Sequence, residues 1–128
     1  MKEVLFENHE MILELEKGLM ITTFKLHFLD LETTKKLVEH RKTACKGNVY
    51  PLLANILAVK NATKEARDYF ASEKGCEGIT AAGIIIGSEL GSMIGNFYSR
   101  ISKPLRPTRL FTDEEEAKKW LVKYLQGD

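Results

Sequence analysis

The sequence is short of the residues that usually announce a chemistry. Its 128 residues include only two cysteines, Cys45 and Cys76. They stand too far apart in sequence for a paired metal-ligand motif. They read as free thiols of a reducing cytoplasm, with a disulfide left open until geometry decides it. The three histidines, His9, His27 and His40, fall in different segments and form no H-x-x-x-H pattern, so no metal is expected. Charge of one sign is also lacking. A formal net charge of +1 gives no electrostatic case for nucleic acid. No apolar run approaches the roughly 20 residues that span a bilayer, so no membrane partner is expected. The opening MKEVLFENHE has no apolar core of a signal peptide. Low-complexity segments, internal repeats and linkers are absent too. What is left is a single small cytoplasmic domain over residues 1–128, long enough to bury roughly 65–70% of its unfolded surface.

What is present is a pattern of strands and helices. Residues 10–26 read as a hairpin, EMILELE and LMITTFKL joined at Lys17-Gly18, with glycine supplying a permissive turn. Residues 4–6 either extend this sheet or form a separate edge piece. Asp30 is placed as N-cap of a helix with a buried stripe of Leu31, Leu37, Val38, Ala44 and Cys45, stopped by Gly47. Residues 50–59, YPLLANILAV, form a near-continuous apolar strand. Thr63 caps a short helix that stops at Gly75. The centre of the chain is 79–111: a buried strand ending in three isoleucines, a break at Gly87, a helix with Leu90, Ile94, Phe97 and Ile101 on one face, and a strand at 108–111. Strand, helix, strand in so few residues predicts a crossover and parallel pairing. Thr112 and Glu115 fit a capping box for the last helix, whose buried face is Ala117, Trp120, Leu121, Tyr124 and Leu125. The expected class is α/β: a mixed four- or five-stranded sheet with about four helices.

That order, with the segments YPLLANILAVKNATKEARDYFAS, GITAAGIIIGSELGSMIGNFYSRISKP and PTRLFTDEEEAKKWL, resembles the STAS superfamily, the fold of bacterial anti-sigma-factor antagonists. Within it the chain resembles a small bacterial group of uncharacterised STAS-like proteins. The resemblance implies a STAS-like domain that works by binding a protein partner. Antagonists carry an Asp-Ser pair at the start of the helix after the central strand, and a partner kinase phosphorylates the serine. Here the matching place reads Asn61-Ala62-Thr63-Lys64-Glu65, and the pair is absent. Thr63 is the only hydroxyl available there. A phosphate on it would meet helix N-terminal amides with Lys60 and Lys64 nearby. Otherwise Thr63 is simply a cap.

Two further groups stand out. Gly87, Gly91 and Gly95 recur every four residues with Ser88, Ser92 and Ser99 beside them, which puts small residues on one helix face. Mid-helix glycine costs up to about 1 kcal/mol against alanine. Such a stripe serves close packing within the chain, or else close approach of a partner or ligand. The series is neither G-x-G-x-x-G nor a P-loop, so no nucleotide is implied. Arg100, Lys103, Arg106 and Arg109 form a basic cluster around two prolines, suited either to solvent or to an acidic partner or small anion. Cys76, flanked by Gly75 and Gly78, is expected to be exposed yet unactivated.

Two functions follow as expectations. The first is a non-catalytic interaction or regulatory module that binds another protein or itself through the first turn of the Thr63 helix and the 88–102 helix. The second is a small-molecule or anion binder, conceivably an enzyme, using the 87–92 turn with Arg106 and Arg109. No catalytic constellation and no cofactor motif emerges.

Overall fold

In the computed structural model, residues 2–87 and 105–125 are described. The elements are β1 (Glu3–Glu7), β2 (Met11–Glu16), β3 (Leu19–Phe24), β4 (Phe28–Leu29), α1 (Leu31–Cys45), β5 (Tyr50–Asn55), β6 (Asn61–Ala62), α2 (Lys64–Ala71), β7 (Ile79–Ile85), β8 (Thr108–Phe111) and α3 (Glu114–Val122). The mixed α/β architecture expected from the sequence is present. Its main sheet carries six strands, in the order β1-β2-β3-β5-β7-β8, and β4 pairs with β6 separately. The sheet exceeds four or five strands because residues 3–7 pair antiparallel with β2. The Asn8-His9 interruption is a turn: Asn8 Oδ1 accepts from the Glu10 and Met11 amides at 2.8 and 2.9 Å.

The β2–β3 hairpin closes through two residues, Lys17 (φ 49°) and Gly18 (φ 83°). Positive φ at both positions is what a type I′ turn requires, and it suits the twist of the flanking strands. From β3 onward pairing is parallel, β3 to β5, β5 to β7 and β7 to β8. The crossover read from residues 79–111 is therefore present.

Alternation along the strands separates two apolar layers. Met11, Met20, Leu52 and Ile84 face α1 and α2, whereas Leu19, Ile21, Leu53, Ala81 and Ile85 meet Ala117 and Leu121 of α3. A bulge shifts the β5–β7 register, from Tyr50↔Ile79 to Leu52↔Ala82. The extra residue there lets Ala81 join the α3 layer while Thr80 Oγ1 donates to Tyr124 O at 3.4 Å.

Several boundaries differ from expectation. The strand expected over 50–59 ends at Asn55, whose Oδ1 accepts from the Leu57 amide at 3.0 Å and turns the chain. Helix α2 ends at Ala71, not at Gly75. The Ser72 hydroxyl donates to Tyr69 O at 2.6 Å and accepts from the Gly75 amide at 3.2 Å, folding the chain back on the helix. The cap of α3 is Asp113, which accepts from the Glu116 amide, rather than Thr112. The expected helix over 88–102 lies outside the described residues.

Candidate functional site

The parallel strands β3 and β5 both end on one side of the sheet, and their following loops are laced together. The amides of Lys60 and Asn61 donate to His27 O at 2.7 and 3.2 Å, and the Thr63 amide donates to Leu29 O at 3.0 Å. His27 Nδ1 lies 3.0 Å from Ala58 O. This is the β4–β6 pair, with Phe28 opposite Asn61 and Leu29 opposite Ala62. It fixes Thr63 at the first turn of α2, at the carboxyl edge of a parallel sheet, where ligands and partners of such sheets commonly bind.

Thr63 Oγ1 accepts from the Ala66 amide at 3.1 Å, so its hydroxyl serves as the helix cap. Lys60 is exposed beside it, while Lys64 pairs with Asp68 at 2.7 Å. Two apolar side chains stand out on these same loops: Phe28 is 52% and Leu57 49% exposed.

The second set of expected residues is not gathered in this way. Gly87 follows the carboxyl end of β7, whereas Arg106 Nε donates to Ile79 O at 3.1 Å, at its amino end. Seven residues of strand, roughly 20 Å, separate them. Arg109, exposed on β8, stacks its guanidinium 5.3 Å from the centre of the Phe111 ring. Ser88, Gly91, Ser92, Gly95, Arg100 and Lys103 lie outside the described residues.

Sequence reasoning missed a third feature, a cavity of about 160 Å³ between the sheet and the α1–α2 layer. It extends from Arg41, Gly75 and Cys76 to Val59, Lys60 and Asn61. Arg41 is only 5% exposed, and its Nη2 donates to the carbonyls of Gly75 and Glu77 at 2.7 and 3.1 Å. Burial pushes its pKa below the usual arginine value, opposed by Cys45, Cys76, Tyr69 and Glu77 nearby. Spacing could have revealed it, since Thr34, Leu37, Val38, Arg41 and Cys45 form one buried helical stripe. Cys76, expected in the open, is buried with its thiol donating to Phe70 O at 3.3 Å. Cys45 is also free, and burial raises its thiol pKa. Among the described residues, no three His, Cys, Asp or Glu side chains gather into a possible metal site.

With that geometry in hand, comparison with known proteins is informative about fold. Residues 13–125 match a domain of unknown function, DUF7793. The chain belongs to this family. No curated protein matches it. Among solved structures it is similar to an uncharacterised protein of the DUF3478 family, with a SpoIIAA-like fold, from Shewanella loihica PV-4. The likeness has a TM-score of 0.62 at 15% identity, over 94% of this chain and 95% of that one. The DUF7793 chain thus has a STAS-like, SpoIIAA-like fold, as its sequence indicated. No helix among its described residues is long and apolar enough to cross a membrane.

Proposed function

We propose that this DUF7793 domain is a non-catalytic regulatory module of the cytoplasm that binds another protein through the loops around the first turn of α2. The observation that carries this reading is the pairing of exposed Phe28 and Leu57 on loops held in place by the β4–β6 bonds. Exposed apolar side chains on an ordered surface are what interface anchors look like before a partner covers them. Lys60 adds a charge at the rim, and half-buried Thr63 caps α2 beside it. The free state of both cysteines fits a reducing compartment.

The test is recovery of partners by tagged protein from the cells that make it. Phe28→Asp with Leu57→Asp should reduce recovery of a specific partner at least about tenfold, as expected for loss of interface anchors. Val122→Lys, on the exposed side of α3, should leave it unchanged. Equal recovery by the double variant would contradict the reading.

A further inference from the structure

The cavity between the sheet and the α1–α2 layer is built differently from ordinary packing. Its wall is mostly aliphatic and aromatic, yet two deeply buried polar side chains line it with donors left over. Among the described residues, Arg41 Nε has no hydrogen-bond partner, and neither does Thr22 Oγ1, on a residue only 2% exposed. Buried polar groups in folded proteins are nearly always paired, so two on one cavity wall call for a partner inside it.

Charge points the same way. Both Arg41 hydrogen bonds go to backbone carbonyls, which neutralise nothing. The Glu77 carboxylate, whose charge acts on Arg41, is engaged by Lys42 at 3.1 Å. With both Nη2 hydrogens already donated, the buried guanidinium keeps its Nε–H and its charge for a single charge-assisted hydrogen bond to a carboxylate oxygen.

Size and shape define the rest of the occupant. About 160 Å³ is comparable to the roughly 150 Å³ apolar cavities that take up small hydrocarbons. The space reaches along β5, from Arg41 at its amino end to Lys60 and Asn61, both exposed, at its carboxyl end. We infer that this cavity binds a short-chain fatty acid of about six carbons, with a carboxylate oxygen at Arg41 Nε and the alkyl chain against the aliphatic wall. The cavity reaches the loops of the proposed protein contact at Lys60 and Asn61, but neither Phe28 nor Leu57 lines it, so the two proposals are tested by different side chains.

Calorimetric titration of the whole chain with hexanoate and with 1-hexanol tests the inference. Hexanoate should bind saturably at one site per chain, at least tenfold more tightly than the alcohol. Ala54→Leu, which fills the cavity from β5, should weaken hexanoate binding at least tenfold while the protein stays folded by circular dichroism. Arg41→Lys, retaining charge without the Nε donor, should reduce the preference for acid over alcohol. Because Arg41 also braces the 75–77 loop, the Ala54→Leu result and the acid–alcohol comparison on the unmodified chain decide if Arg41→Lys does not fold. Absence of saturable hexanoate binding would overturn the inference, leaving a hydrated void. Equal affinity for acid and alcohol, or binding indifferent to Ala54→Leu, would overturn it as well.

Discussion

Gly75 shows how a single residue closes this structure. A Cβ placed there would lie 1.9 Å from Tyr69 O and within 3 Å of two further backbone atoms. Nothing flexible is available to yield, so Gly75→Ala must displace the 72–78 loop or the end of α2. A cost of about 3 kcal/mol or more in urea unfolding is expected, at the upper end for overpacked positions. A change under about 1 kcal/mol would mean the loop is not pinned to the helix as described. Asp30 gives a residue-scale prediction in pH. The Thr33 amide, at 2.8 Å, with the Thr33 hydroxyl, holds its carboxyl below the usual aspartate value. Stability from this bond is therefore fully present above the unfolded value near pH 4 and lost as pH falls through the lower folded value. The stability gap between the natural chain and Asp30→Asn should be constant at neutral pH and close below about pH 4. A gap that persists into strong acid would contradict that assignment. Arg41 and Cys76 were hidden from a sequence reading for a common reason. Charge and flanking glycines both suggest solvent, yet here each residue is enclosed by the other's loop or helix.

At the scale of elements, capping separates alternatives that sequence left open. Asp113 accepts from the Glu116 amide, so Asp113→Ala should cost about 1 kcal/mol, whereas Thr112→Ala should stay within about 0.5 kcal/mol. The reverse order, measured by thermal or urea unfolding, would restore Thr112 as the cap. Elements with a strong pattern were legible: the apolar run of β7, the Lys17-Gly18 hairpin, the Asp30 and Thr63 caps and the Ala117–Leu121 face of α3. Those that were missed lack a pattern of their own. Strands β4 and β6 are two residues each, too short for any period to show. Residues 56–59 look like more of β5 because Val59 is buried and Ile56 packs against the same core, but hydrophobicity reports burial and not extension. The turn was written in Asn55, whose side chain captures the Leu57 amide.

The whole molecule is a sheet with two differently used faces. Helix α3 closes one face, and Lys118 ties it to the hairpin through Glu16 and to its own first turn through Glu114, each at 3.2 Å. The other face carries α1, α2 and the cavity, and its carboxyl edge presents Phe28, Leu57 and Thr63. The fold was legible because a mixed sheet with parallel crossovers leaves its signature in long apolar strands. The surface was less so: the sequence pointed to Thr63 and Lys60, but Leu57 reads as part of an apolar strand over 50–59 and Phe28 is not singled out. Hydrogen–deuterium exchange of the domain with and without a captured partner tests this division directly. Added protection should centre on the 26–30 and 56–66 segments, with α3 unchanged. Protection confined to α3, or spread evenly over the chain, would contradict the proposed contact surface.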